Sequence, residues 1–461
     1  MLYVTYIFLG IFICLIGHFV YFQAVTSSDV ITSPYNKRQD TFADRVIRGD
    51  ILTSDGVVIA TTDVAEDGTE TRRYPYQNLF AHAVGYASQG KTGIELLANY
   101  QLLTSNAYFL ERFVNEVQEE KNIGDNVITT LHYELQKTAY EALGDRRGTV
   151  IAMEPSTGKV LAMVSKPDFN PNEIDAKWKE ISNSKNSVLL NRASQGLYPP
   201  GSTFKMLTLL QYMREGNDLE NWTYECNGSY TENGVTINCY QGKSHGTVDL
   251  KTAFAKSCNG AFAKMGLEID KDDFIDTCNE LLFNQDLPLQ IPYKQSSVSF
   301  DENAETGALM QTAIGQATTE VTPMHMAMIT SAVANGGILM KPYFIESIEN
   351  YQGEQVKKYM PSSYGKLMEA EEAAVLTEYM TETVLSGTAT ALQSEVYSAA
   401  GKTGTAEYSN DKSKSHAWFI GFCNVADPDL AVCVIVEGAG AGSTYAVPIA
   451  KQMFDAYYQY N

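Results

Sequence analysis

A serine attacks a carbonyl only when a base stands close enough to take its proton, so Ser and Lys one helical turn apart are the first residues whose spacing matters. Ser-x-x-K recurs at Ser88, Ser156, Ser182, Ser202, Ser363 and Ser409, and alone it carries no weight. Context selects Ser202. Tyr198-Pro199-Pro200-Gly201 ends a loop and an apolar run follows, so the helix Ser202 to Met213 is expected to begin at the serine. Lys205 then lies one turn on along the same face, and a nucleophile and a base share one rigid element. Two further groups follow in order: Ser257-Cys258-Asn259 in a helical stretch, and Lys402-Thr403-Gly404-Thr405 on an expected strand.

Two other motifs have weaker surroundings. Gly85 to Thr92 matches the phosphate-cradling pattern G-x-x-x-x-G-K-[ST], but a phosphate loop belongs in a parallel βαβ unit and none surrounds it. Gly242-Lys243-Ser244-His245-Gly246 matches the G-x-S-x-G nucleophile elbow, and His325 and His416 follow it. No parallel sheet is evident there, so a polar loop is the preferred reading.

The elements that must position these groups sort into three segments. Residues 1–28 carry no Asp, Glu, Lys or Arg, and Leu2 to Val25 supplies the ~20 apolar residues a bilayer core requires. With no basic residue at its start and Tyr and Phe running to its end, it reads as a membrane anchor, not a cleaved signal. Lys37, Arg38, Arg45 and Arg48 follow, and by themselves would keep the C-terminal side inside. After a polar stretch from Thr26 to Asp40, the Asp55-Gly56 turn between apolar runs predicts a hairpin. Asn126 to Leu131 reads as a strand and His132 to Leu143 as a helix, with a domain boundary near Gly144 to Gly148.

Thr149 to Met153 and Lys159 to Val164 predict an antiparallel pair. Helical candidates fill the middle, among them Leu250 to Met265 and Met324 to Ala334. Ala400 to Glu407, His416 to Cys423 and Leu430 to Glu437 then read as strands before a helix at Val447 to Tyr457. Strands early and late with helices between them predict an α+β domain whose antiparallel sheet is closed by both ends of the chain. The 461 residues carry 34 Lys plus Arg against 55 Asp plus Glu, a formal charge of −21, which argues against nucleic acid held through its phosphates.

The ordered set S-x-x-K, S-x-N and K-T-G resembles the signature of penicillin-binding proteins and serine β-lactamases. Arg48-Gly49-Asp50-Ile51, Tyr74-Pro75, Gly85-Tyr86 and Gly93-Ile94-Glu95 extend the likeness to the pedestal of class B penicillin-binding proteins, the membrane-anchored D,D-transpeptidases of peptidoglycan synthesis. Asn191-Arg192-Ala193, Gly315-Gln316, Thr322-Pro323 and Gly387-Thr388-Ala389 are similar to that family too. The resemblance implies an anchor at 1–28, a pedestal at 29–147 and a transpeptidase domain of β-lactamase-like fold at 148–461.

It also implies roles. Ser202 would attack the penultimate D-Ala carbonyl of a stem peptide, and Lys205 would be the base if burial and a nearby cation such as Lys402 keep its amine neutral. Ser257 would relay a proton to the leaving amine and Asn259 would bind a substrate amide. Lys402 and Thr403 would orient the terminal carboxylate, Gly404 lying between them and Thr405. The backbone N–H groups of Ser202 and Thr405 would form an oxyanion hole. The plain alternatives are a snorkelling Lys205 and an ordinary edge strand at Lys402 to Thr405.

No metal or cofactor is required by this chemistry. The implied partners are D-Ala-D-Ala stem peptides, β-lactams and a SEDS-family glycosyltransferase, with the catalytic domain outside the cell membrane. A β-lactamase, a carboxypeptidase or a non-catalytic penicillin-binding sensor shares the motifs and would differ in acyl-enzyme lifetime and acceptor. Glu280-Leu281-Leu282-Phe283-Asn284 superficially resembles a lactamase deacylating segment and reads instead as core packing.

Seven Cys without a C-x-x-C pair match neither a disulfide scaffold nor a zinc module. Cys226 and Cys239 flank an expected hairpin at Gly228 to Gly234, and a disulfide between them is expected, the alternative being two free thiols.

Overall fold

The computed structural model describes residues 2–23, 43–299, 306–407 and 414–460. The polar stretch with Lys37 and Arg38, and the Ser-x-x-K copy at Ser409, lie outside them. Leu2–Tyr21 forms a helix with no buried side chain in Tyr3–Tyr21, long and apolar enough to cross a membrane.

The expected hairpin forms, with Ile51 opposite Ala60 and Gly56 in the turn at φ 81°, where a side chain would be strained. It belongs to a six-stranded sheet in the order Gln355–Lys358, Ile345–Glu349, Asn126–Thr129, Ile51–Leu52, Val58–Val64, Glu70–Arg73. Two of these strands come from beyond residue 148, so the pedestal's sheet also draws on the later part of the chain. Beside it the buried Glu95 carboxylate accepts from Arg48 Nε at 2.7 Å, Arg72 Nε at 2.7 Å and the Tyr74 hydroxyl at 3.1 Å. The phosphate-loop match turns out to be part of this packing. A Cβ on Gly85 would stand 2.1 Å from the Thr92 carbonyl oxygen, so the turn closes on itself.

The second sheet is antiparallel throughout, in the order Ala399–Glu407, Ser415–Cys423, Leu430–Val436, Gly148–Met153, Val160–Lys166. Early and late strands meet where Val432 faces Ala152. Alternate side chains enter different cores, Val150 and Ala152 joining Leu135, Leu143 and Phe454, while Ile151 and Met153 join Met324 and Met328. Helices Tyr133–Leu143 and Val447–Tyr460 thus cover one face and Pro323–Ala334 the other, the α+β architecture expected.

One expected helix is two. Leu250–Ala255 and Asn259–Glu268 are separated at Lys256 to Cys258, with Ser257 at φ +57°. No Gly or Pro marks this break, and the apolar pattern runs across it. The left-handed residue is held by its neighbours, Ser257 N donating to Phe254 O at 3.0 Å and Cys258 N to Ala253 O at 2.8 Å.

Candidate active site

Ser202 stands in the short 3-10 turn Gly201–Phe204, which runs directly into the α-helix Lys205–Arg214. Gly201 has φ +55°, and its N–H donates to Gly315 O at 2.8 Å. A Cβ on Gly315 would approach Gly201 O to 2.0 Å, so the turn is set against a neighbouring loop that leaves no room for a side chain. Upstream, the buried Arg192 guanidinium donates to Glu437 at 2.7 Å and the Tyr198 hydroxyl reaches the same oxygen at 2.7 Å. Trp418 Nε1 donates to Pro199 O at 3.1 Å, tying the loop to the sheet.

Lys205 is buried. Its ammonium donates to Ser257 O at 2.9 Å, Ser257 Oγ at 3.2 Å and Asn259 Oδ1 at 2.7 Å. The helix break therefore has a use: the left-handed Ser257 turns its carbonyl toward the lysine, which a continuous helix would keep for itself. Burial lowers the Lys205 pKa to about 8, opposed by the thiols of Cys258 and Cys239.

Lys402 lies on the edge strand Ala399–Glu407, also buried, with its ammonium donating to Thr403 O at 3.1 Å. Burial first, and then the Lys205 charge, hold it well below the usual lysine value. The Thr403 hydroxyl shares a hydrogen bond with that of Thr388. A Cβ on Gly404 would stand 2.9 Å from Trp418 Cβ and 3.0 Å from Thr203 Cγ2, so glycine lets the strand and the serine turn touch.

These groups border one cleft of about 1290 Å³, lined among others by Ser202, Ser257, Asn259, Thr403 and Thr405. Lys205 and Lys402 lie behind its wall. Ser244 of the elbow match also lines it, in a loop where its hydroxyl donates to Cys226 O at 2.6 Å. Glu280 corrects an expectation: its side chain is 63% exposed and pairs with Arg214 at 2.7 Å, while Leu281 and Phe283 beside it are buried. The core packing belongs to its neighbours, and Glu280 does not line the cleft.

Two residues had no role assigned from sequence. Gln316, with its amide oriented to satisfy both partners, donates to Glu407 O at 3.0 Å and accepts from Glu407 N at 3.2 Å, gripping the end of the edge strand. Thr388 belongs to the short motif Gly387-Thr388-Ala389. Its contact with Thr403 joins segments far apart in the chain, which spacing does not show.

The expected Cys226–Cys239 disulfide is not formed. The sulfurs stand 3.6 Å apart, against about 2.05 Å for a bond. Each has another neighbour instead: Cys258 Sγ lies 3.8 Å from Cys239 Sγ, and His245 Nδ1 lies 3.3 Å from Cys226 Sγ.

Residues 148–455 match the penicillin-binding-protein transpeptidase domain, and residues 48–127 the penicillin-binding protein A dimerisation domain. The chain is similar to the peptidoglycan D,D-transpeptidase PbpA of Mycolicibacterium smegmatis, 32% identical over 87% of this chain and 87% of the relative. Its fold is similar to that of penicillin-binding protein A from M. tuberculosis solved as a ceftriaxone acyl-enzyme complex, with TM-score 0.81 and 29% identity over 91% of this chain and 99% of that one. The imipenem acyl-enzyme complex of the same protein gives TM-score 0.82. The chain belongs to the class B penicillin-binding proteins, the peptidoglycan D,D-transpeptidases, which are enzymes of acyl transfer.

Proposed function

We propose that Ser202 is the residue acylated in peptide cross-linking. The observation that carries this is the setting of Lys205, a buried cation at the start of the Ser202 helix with three neutral acceptors and a pKa of about 8. Its neutral amine takes the Ser202 proton as Oγ bonds to the penultimate D-Ala carbonyl carbon. The N–H groups of Ser202 and Thr405 face the resulting oxyanion, and Lys402 with Thr403 orients the terminal carboxylate. The C–N bond then breaks, with Ser257 passing a proton to the departing D-Ala amine and Asn259 holding the peptide amide. An amine of a second stem peptide attacks the ester and releases Ser202.

β-Lactams enter the same step, and their release is slow in this reading. The one carboxylate lining the cleft among the described residues is Glu407, at the end of the edge strand. Rapid turnover of a chromogenic cephalosporin that is lost in Glu407→Gln would place the chain with the β-lactamases. Labelled penicillin and intact mass analysis test the nucleophile: one adduct is expected on Ser202 and none in Ser202→Ala. Label on Ser244, or label that survives Ser202→Ala, overturns the assignment.

The substrate sets the topology we propose: a single apolar anchor with the catalytic domain outside the cytoplasmic membrane and a SEDS-family glycosyltransferase beside it. The anchor and the exposed apolar face of helix Phe109–Gln118, with Phe109, Leu110, Phe113, Val114 and Val117, support such a partner. Protease protection of this domain in intact spheroplasts would contradict the topology.

A further inference from the structure

We propose that Glu407 selects the acyl-donor stem peptide: its carboxylate takes the side-chain ammonium of the residue immediately before D-Ala-D-Ala. This rests on the transpeptidase reading above and deepens it, because it names what the peptide must carry beyond its two D-alanines.

The placement follows from the strand. Ala399–Glu407 is the edge of its sheet, so one side of it is open to an extended peptide. Glu407 stands opposite Ser415 on the neighbouring strand, yet its N–H and C=O both bond the Gln316 amide, at 3.2 and 3.0 Å. Its backbone groups therefore point out of the sheet, and by the alternation of an antiparallel ladder so do those of Thr405, two residues back. A peptide with its terminal carboxylate at Lys402 and Thr403 and its scissile carbonyl at the Thr405 N–H runs antiparallel to this strand. Glu407 lies about 7 Å beyond Thr405 along it, where the residue before the two D-alanines arrives. Gln316 already occupies the Glu407 backbone, so the ladder ends there and only the Glu407 side chain is left for the peptide.

The charges in the cleft run the same way. Among the described residues its Lys, Arg, Asp and Glu lining is Lys243, Lys256 and Glu407. Lys256 belongs to the carboxylate end: Thr388 N donates to Ala255 O at 3.2 Å, and the Thr388 hydroxyl bonds that of Thr403. The buried Lys402 stands at that end too. Glu407 lies at the far end of the strand, exposed, and among the described residues no cation pairs with its carboxylate. The cleft is positive where it holds the terminal carboxylate and negative where the third residue from the peptide's end sits. An ammonium entering it is repelled by both lysines and meets one carboxylate. Cross-linking joins two stem peptides of the same kind, so the acyl donor carries the amine that its partner uses as acceptor. Glu407 touches the peptide away from the reacting bond, and its part is selection, not proton transfer.

The full chain in detergent is offered three thioester donors, Nα-acetyl-X-D-Ala-thioglycolate with X as lysine, norleucine or glutamate, and no acceptor. Thiol release in the first turnover reports acylation. The lysine donor is expected to react about fivefold faster than the norleucine donor, the size of one partly screened ion pair, and the glutamate donor slowest. That preference should fade in about 1 M salt, which a steric selection would not do. It should vanish in Glu407→Gln, and Glu407→Lys should prefer the glutamate donor.

Equal rates for lysine and norleucine donors in the unaltered chain, or a lysine preference that survives Glu407→Gln, overturns the subsite. A cation effect that appears only in the transfer step, once an amine acceptor is added, gives Glu407 to the acceptor and overturns the assignment to the donor. Penicillin labelling of the same preparation keeps this apart from the nucleophile. A chain labelled at Ser202 that treats the donors alike loses the subsite alone, while a chain labelled elsewhere loses the Ser202 reading and this proposal with it.

Discussion

The pedestal and the catalytic cleft both bury charge, and they treat it in opposite ways. In the pedestal the Glu95 carboxylate is held between Arg48 and Arg72. Burial alone would raise its pKa, yet the two guanidinium charges and their hydrogen bonds hold it below the usual value. In the cleft Lys205 and Lys402 are equally buried, but among the described residues their acceptors are carbonyls, a hydroxyl and an amide oxygen, with no carboxylate. There burial wins and pKa values fall. A paired charge keeps its proton state and ties segments together; an unpaired one gives up its proton readily, as a base must.

The largest expected effect breaks the comparison from the catalytic side. Lys205→Met should slow penicillin acylation by about 10³-fold, within the range for losing a general base, without lowering the free energy of unfolding. Removing a buried cation that lacks a counter-ion relieves a cost. A variant that acylates normally but unfolds early would make Lys205 a structural residue like Glu95.

The reciprocal change is Glu95→Gln, which leaves two buried guanidinium groups without their carboxylate. Denaturant unfolding should show a loss of about 3–5 kcal/mol, with acylation by the folded fraction unaltered. A loss within experimental scatter would show the cluster to be solvated.

The two regions should also answer pH with different signatures. Acylation should rise with pH, reach half its maximum near 8 and level off above that, since the protonated Lys205 amine cannot accept the serine proton. A flat profile between about 6 and 9 would remove Lys205 as the base. For stability, Lys205 has a folded pKa below its unfolded 10.5, so its burial penalty is full below about 8 and is relieved as pH rises from there toward 10.5. Glu95 has a folded pKa below its unfolded 4.5, so its contribution is present above 4.5 and is lost as pH falls through the folded value. Acid titration followed by pedestal and cleft probes separately should therefore find the pedestal failing first.

The smallest effect sharpens the geometry. Gly404→Ala should cost about 1–3 kcal/mol, because Trp418 and Thr203 leave no room for a methyl group. Measured by thermal unfolding alongside acylation, it should slow acylation, since the strand is pushed from the serine turn. Equal packing cost with unchanged acylation would separate the strand's position from the chemistry.

Much of this was legible because it is local. Pro199-Pro200-Gly201 before an apolar run marks a helix start, and two residues between Ser202 and Lys205 put them on one face whatever the rest of the chain does. The late strands read from β-rich runs such as Leu430–Val436, and the anchor reads from unbroken apolar length. The break at Ser257 was not legible, because its apolar pattern fits one helix and only long-range contacts stabilise the left-handed residue. Glu280 misled for a related reason: its segment is apolar, but the face it occupies depends on Arg214.

The sequence by itself thus determined the apolar N-terminal helix, the five strands of the antiparallel sheet, the Asp55-Gly56 hairpin and the strand at Asn126 to Leu131, and the order of the three motifs that define the family, but not the strands Ile345–Glu349 and Gln355–Lys358, which lie among helical candidates. Each depends on composition or on residues within a turn of one another, where propensity and periodicity act directly. The tertiary structure decided what those motifs face: the burial that lowers the Lys205 pKa, the meeting of Lys402 with it, and the gathering of Cys226, Cys239, His245 and Cys258 at one point. Those depend on desolvation and on the packing of segments remote in the chain, and neither quantity exists until the chain has folded.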